Sequence, residues 1–204
     1  MSFVIETPRL VIRNWKESDI PAFISMNQDP DFMAFYQSLL TPEETKNRVA
    51  SYKTHIEQHG FGFFAVELKK TEIFIGSVGL DLCKPEMPFS PAVQIGWGIS
   101  KEFWNQGYAT EAAKAVLKAA FTEFDLKEVV ASTAIPNKKS MWIMEKIGMR
   151  HDPNSDFYYP DLDKNHWLCH RVLYRIKRED FLKIHYRGTE EVCCPTAEIP
   201  PSRL

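Results

Sequence analysis

The stretch Ile99-Ser-Lys-Glu-Phe-Trp-Asn-Gln-Gly-Tyr-Ala-Thr-Glu-Ala-Ala113 changes its hydrophobic period part-way along. Before it, Ala92–Ile99 is short and rich in Val and Ile, as a strand would be. After it, Ala113, Val116, Leu117, Ala120, Phe121 and Phe124 recur at i, i+3, i+4, i+7, i+8 and i+11, one apolar stripe on an amphipathic helix. Lys114, Lys118 and Glu123 fall off the stripe and are expected in solvent. Between strand and helix lies a short loop containing Gly107, with the helix beginning near Thr110. A helix N-terminus exposes amide donors and carries partial positive charge, so this turn is a natural phosphate cradle. Gly107 lets an anion approach the backbone, and Ala109 keeps the next turn thin. No G-x-x-x-x-G-K-[ST] loop occurs, and Gly96-Trp97-Gly98 lies within a strand without a third glycine. By itself the loop fits an ordinary strand-to-helix turn or a nucleotide-binding α/β protein equally well.

Outward from this stretch, Arg9–Arg13 reads as a short first strand, and Ser18 as the cap of a helix over Asp19–Asn27 with Pro21 in its first turn. Thr41-Pro-Glu-Glu44 is a capping box that starts a helix running to His59, with Gly60 as its left-handed stop. Phe61–Leu68, Ile73–Leu82 and Ala92–Ile99 are strands, the first two a hairpin through Lys69–Glu72. Lys84–Pro91, with three prolines, is a loop. Glu128–Ala134 is a strand, Asn137 caps a helix over Lys138–Ile147 stopped by Gly148, and Trp167–Lys177 is a last β-like run. The order implies an α+β, or mixed α/β, layout around one sheet.

With 204 residues the chain suits one domain, taken as 1–187, followed by a Pro-containing tail of low apolar content at 188–204, expected to be disordered. Charged residues make up 25% and the net charge is −2. That balance gives no field for nucleic acid or anionic lipid. Cys83, Cys169, Cys193 and Cys194 show no metal spacing and read as reduced thiols. The N-terminal segment lacks the pattern of a signal peptide, and no run reaches the roughly 18 apolar residues of a membrane span. A cytoplasmic protein without metal is expected, as monomer or homodimer.

Trp104-Asn-Gln-Gly-Tyr-Ala-Thr-Glu-Ala112 closely resembles the acetyl-CoA-binding segment of GNAT-type N-acetyltransferases, in the branch of the ribosomal-protein N-terminal acetyltransferases. Arg9-Leu-Val-Ile-Arg, Ser18-Asp19, Asp29-Pro30, Gly76-Ser-Val-Gly-Leu, Ile95-Gly-Trp-Gly-Ile, Asn137-Lys-Lys-Ser and Glu145-Lys-Ile-Gly-Met resemble that branch in the same order, across roughly residues 8–177. The resemblance implies a single mixed, mostly antiparallel sheet with helices on both faces. It also implies acetyl transfer from acetyl-CoA to a primary amine by direct attack. The backbone amides of Asn105, Gln106, Gly107, Tyr108, Ala109 and Thr110 would hold the pyrophosphate, with Trp104 at the position where the family pattern has Arg or Gln. The strand carrying Trp97, Gly98 and Ile99 would splay from its neighbour and pair its backbone with the pantetheine, an amide there stabilising the oxyanion.

Asn137 and Ser140 read on their own as a helix cap and an exposed polar residue. The resemblance places Asn137 on the pantetheine and Ser140 near the thiol. Family members often carry a tyrosine acid where Met144 stands and a glutamate where Gln94 stands; neither residue here can exchange a proton usefully. Ser140 is the replacement acid. Asp81, His151, Asp152, Asp156 and His166 are the candidate bases, and transfer of the amine proton to bulk water is the alternative. No nucleophile motif such as G-x-S-x-G occurs, which fits direct attack. Trp15, Phe32, Phe35, Tyr36, Phe157, Tyr158 and Tyr159 are candidates for the acceptor pocket. Because Gln94 and Met144 occupy both usual proton-transfer positions, a coenzyme A-binding sensor without turnover is the second reading.

Overall fold

The structure, a computed structural model, describes residues 3–185. The proposed tail boundary, Cys193 and Cys194 lie outside the described residues.

Nine strands form one sheet in the order β1-β2-β3-β4-β5-β6-β9-β7, with β8 added alongside β9. The strands are β1 (Val4–Glu6), β2 (Leu10–Arg13), β3 (Phe63–Leu68), β4 (Phe74–Leu82), β5 (Val93–Ile99), β6 (Glu128–Ala134), β7 (Arg150–His151), β8 (Phe157–Tyr158) and β9 (His170–Lys177). The helices are α1 (Ile20–Asn27), α2 (Pro42–His59), α3 (Tyr108–Thr122), α4 (Lys138–Lys146) and α5 (Arg178–His185). Every strand pair is antiparallel except β5 with β6.

Alternation along the strands assigns the two faces. Phe64, Val66, Ile95, Ile99, Val129 and Ala131 join the α3 stripe in one core, which α4 and α5 complete through Met144 and Phe181. On the opposite face Ala65 packs with Trp15, Phe23 and Met26 beneath α1 and α2. Further along that face Val130 and Leu173 meet Phe157, Cys83 and Met87. The stripe behaves as the period requires: Ala113, Val116, Leu117, Ala120 and Phe121 are buried and Phe124 half-buried, while Lys114, Lys118 and Glu123 are exposed.

The α2 cap forms as read. Thr41 Oγ1 accepts from the Glu44 amide at 3.2 Å, Glu44 accepts from the Thr41 amide at 2.7 Å, and Gly60 closes the helix at φ 76°. Ser18 does not cap α1. Residues 17–19 form a turn of 3-10 helix, and Asp19 is the capping residue. Its carboxylate goes elsewhere, accepting from Arg13 at 2.7 and 2.8 Å and from the Lys16 amide. Arg13 also reaches Glu67 at 2.5 Å, and all three side chains are buried. A buried guanidinium demands carboxylates, and that demand outweighs a local cap.

The run expected from Trp167 starts as strand only at His170, since Trp167, Leu168 and Cys169 complete a turn. The two-residue strands β7 and β8, the edge strand β1 and the helix α5 stand where no element was expected. Cys83 and Cys169 are free and buried. No helix among the described residues is long and apolar enough to cross a membrane.

Candidate active site

β5 and β6 share a single registered pair, Gln94 with Val130, whereas β4–β5 and β6–β9 each hold seven. Beyond that pair the two strands lose register, opening a wedge whose sides are Gly98 on β5 and Ala134 on β6, each four residues on. Backbone that leaves a ladder must find other partners. The Ile99 carbonyl takes one from the Trp104 indole N–H at 2.6 Å. Trp97 and Ile99 turn their side chains to the α3 core. Gly98 faces the opposite side, where a Cβ would sit 2.8 Å from Phe32 and 4.0 Å from the Tyr36 hydroxyl.

At the mouth of the wedge stands the N-terminus of α3. Helices α2 and α4 have side chains on their first amides, but α3 begins at Gly107, φ 81°, with no capping side chain. Its first amides, from Tyr108 on, are thus left for an anion, with the helix dipole behind them. Asn105 also takes positive φ, 60°, which folds the loop back on itself. The helix begins two residues before Thr110, so Tyr108 and Ala109 belong to its first turn.

Arg9 and Glu111, which sequence reading left unassigned, hold this loop. Glu111 accepts from Thr7 Oγ1 at 2.7 Å, from the Arg9 amide at 3.0 Å and from Arg9 Nε at 2.6 Å. Arg9 Nη1 donates to the Gln106 carbonyl at 2.8 Å, and its guanidinium lies 4.4 Å from the Tyr108 ring centre. Burial raises the Glu111 pKa, but bonds from Thr7 and Arg9 outweigh it, so the carboxylate ends below its usual range. Arg9 Nη2 would stand 3.4 Å from a Cβ on Gly107. A guanidinium thus sits beside the loop although position 104 is Trp; the Trp104 ring instead carries Lys139 Nζ at 4.5 Å. The segment Arg9-Leu-Val-Ile-Arg13 was the only sequence signal for Arg9.

Asn137 caps α4: its Oδ1 accepts from the Ser140 amide at 3.2 Å, and its Nδ2 donates to Thr133 at 3.0 Å. Ser140 is half-buried one turn into α4, close in the chain to the end of β6. Met144 points into the core and is 2% exposed, so its position is a packing position in this chain.

Of the candidate bases, Asp81 lies on the face that carries Gln94, its cross-strand partner. His55 of α2, unassigned from sequence, approaches Asp81 at 3.5 Å. Burial lowers the His55 pKa, Asp81 partly offsetting it, and burial raises that of Asp81. The remaining candidates have structural partners. His151 pairs with Asp156 at 2.9 Å, Asp156 accepts from the Leu173 amide, Asp152 holds Arg175, and His166 accepts from the Leu168 amide.

The aromatic candidates divide. Phe32 and Tyr36 stack on each other over Gly98, and Tyr159 lies on the same face beneath Arg171. Trp15 and Phe157 are buried core residues; Phe35 packs on Trp167; and Tyr158 is exposed, stacked on His170. Among the described residues no group of three His, Cys, Asp or Glu side chains converges as a metal site would require.

The GNAT acetyltransferase domain model matches residues 9–150. The uncharacterized N-acetyltransferase YnaD of Bacillus subtilis (strain 168) is 28% identical over 178 residues, covering 87% of this chain and 98% of its own. A GNAT-family acetyltransferase from Bacillus anthracis superposes with a TM-score of 0.73 at 29% identity, over 87% of this chain and 99% of its own. The spermidine N-acetyltransferase of Vibrio cholerae, solved with CoA and spermine, shares the fold at a TM-score of 0.68 and 18% identity, over 86% of this chain and 99% of its own. A domain match across most of the chain, agreeing with the fold and the strand–loop–helix turn, places this protein in the GNAT acetyltransferase family, as an acyl-CoA-dependent N-acetyltransferase.

Proposed function

We propose that the protein transfers an acetyl group from acetyl-CoA to a primary amine by direct attack within a ternary complex. The wedge between β5 and β6 carries this reading: two parallel strands that share one pair and then open beside an uncapped helix N-terminus. The amides from Asn105 to Thr110, with Arg9 alongside, would bind the pyrophosphate. Backbone at Trp97, Gly98 and Ile99 would align the pantetheine, and Asn137 would meet it from the β6 side. An amide in that segment would stabilise the charge that develops on the acetyl oxygen.

The amine nitrogen attacks the thioester carbon, a C–N bond forms, the C–S bond breaks, and the thiolate leaves. Ser140 would supply the leaving thiolate with a proton and recover one from solvent. The ammonium-like product of attack gives up its proton on the open face. His55 and Asp81 stand there, but Gln94 is four residues from Gly98, about 13 Å along the strand. Transfer to them would run through water rather than by contact.

Gln94 and the core position of Met144 favour one other reading, a coenzyme A-binding module without turnover. Release of CoA thiol from acetyl-CoA, measured against a panel of amines including spermidine, separates the two. Saturable release with any amine supports the transferase. Tight acetyl-CoA binding with no release from any amine supports the module.

A further inference from the structure

Arg171 is a cation on the open face that the acetyl-donor chemistry does not use. On β9 it stands opposite Ala134 of β6 on one side and Phe157 of β8 on the other. Ala134 is the β6 side of the wedge, so Arg171 lies two strand spacings from Gly98, about 10 Å before the divergence is added. Its neighbours in β9 fix its direction. Val172 and Tyr174 enter the α3 core, whereas Leu173 packs with Phe157 and Val130 on the opposite face. Arg171 alternates with Leu173 and therefore shares the face of Gly98, Phe32 and Tyr36.

Its surroundings are those of a binding group rather than a strut. The guanidinium lies 4.4 Å from the centre of the Tyr159 ring, and its Nε is buried with no hydrogen-bond partner. Among the described residues no carboxylate stands within ion-pair distance of it. The other strand arginines of the interior differ: Arg13 has Asp19 and Glu67, and Arg175 has Asp152 and Glu128. Burial lowers its pKa, and the groups near enough to act on its charge are Tyr159, Cys169 and Tyr36, none of them a carboxylate. A second cation, Arg48 of α2, lies 6.0 Å from the Tyr36 ring centre. A half-buried cation with an orphaned donor is costly unless an anion completes it.

We propose that Arg171, with Arg48 behind Tyr36, receives a carboxylate of the acceptor. The acceptor is then a small aminocarboxylate, an amino acid or short peptide, whose amine reaches the thioester while its carboxylate rests on Arg171. Tyr159 holds the guanidinium plane from below, and Phe32 and Tyr36 flank the body of the molecule. This inference rests on the acetyl-transfer reading.

The test compares amino acids with their C-terminal amides as acceptors, with spermidine alongside, by initial rates of CoA thiol release. In the unaltered protein the acids are expected to exceed the matched amides about 10- to 100-fold in kcat/KM, the range of a charge-assisted hydrogen bond. Arg171→Gln is expected to erase that preference through KM for the acceptor while leaving KM for acetyl-CoA unchanged. Arg171→Lys is expected to restore part of it. Amides or spermidine used as well as the acids would overturn the inference and leave acetyl transfer standing. So would an Arg171→Gln loss that falls equally on acid and amide, or on acetyl-CoA. No thiol release with any amine would sink both.

Discussion

At the scale of single residues, the loop before α3 is held by groups that touch one another across distant parts of the sequence. Arg9 and Glu111 are 102 positions apart, yet they form one clamp on the loop. Arg9→Ala removes the charge beside Gly107 and the bond to the Gln106 carbonyl. We expect KM for acetyl-CoA to rise about tenfold, the loss of one charge-assisted hydrogen bond, with kcat reduced less. Steady-state kinetics at saturating amine checks this. His55 gives a pH dependence whose sign follows from burial. Its folded pKa lies below the usual value, so between that value and about 6.5 the unfolded chain holds more protons. Stability from this residue is complete above about pH 6.5 and declines as pH falls below it. His55→Gln should lessen the drop in urea midpoint between pH 7.5 and 5.5; an unchanged drop would remove His55 as its source. Neither Arg9 nor His55 was legible as a site residue. A lone Arg beside a strand or a lone His on a helix carries no local pattern, and their partners come from distant segments.

At the scale of elements, most of the architecture was legible, because the signals are local. The α2 capping box, the α3 stripe, the cap at Asn137 and the positive-φ stops at Gly60 and Gly148 stand where they were read. What was missed is short or decided by tertiary contact. β7 and β8 are two residues each and exist only because β9 offers them an edge. The Ser18 cap failed because Arg13 claims Asp19. Thr41→Ala should cost about 1 kcal/mol in chemical denaturation, with the acetyl-CoA affinity kept, since α2 lies on the other face of the sheet. Gly76→Ala should do more. A Cβ there would stand 2.1 Å from the Gly98 carbonyl oxygen at φ 153°, so β5 must move at the wedge itself. We expect a loss of about 1–3 kcal/mol together with weaker acetyl-CoA binding. Full stability with unaltered binding would show that the register of β4 and β5 does not set the wedge.

At the scale of the molecule, two faces of one sheet divide the work. The α3 face packs the core and leaves its helix N-terminus without a capping side chain at the wedge. The α1–α2 face carries Gly98, Phe32, Tyr36, Tyr159 and Arg171, the residues proposed to meet the acceptor. Family and fold could be read from the sequence because they rest on ordered local motifs. The residues around Gly98 were legible only in part: Phe32, Tyr36 and Tyr159 stood among the aromatic candidates, whereas Arg171 carries no local pattern and reaches that face from β9. The α1–α2 face is tied to the sheet by the buried cluster of Arg13, Asp19 and Glu67, to which Lys16 adds a contact at 3.0 Å. Burial pushes the Glu67 pKa up, but Arg13 and Lys16 outweigh it and the carboxylate ends below its usual value. Its stabilisation is therefore present above about pH 4.3 and is lost as pH falls through the lowered folded value. Glu67→Ala leaves Arg13 half-paired in the interior and should cost roughly 3–5 kcal/mol.

The central claim is that acetyl-CoA binds in the wedge with its pyrophosphate on the amides around Gly107. Calorimetric titration of acetyl-CoA into the protein and into Gly107→Val tests it most directly. Saturable 1:1 binding is expected, weakened at least about tenfold by the valine, which strains a φ of 81° and covers the approach to the amides. No heat of binding at millimolar acetyl-CoA, or an affinity indifferent to the valine, would contradict it.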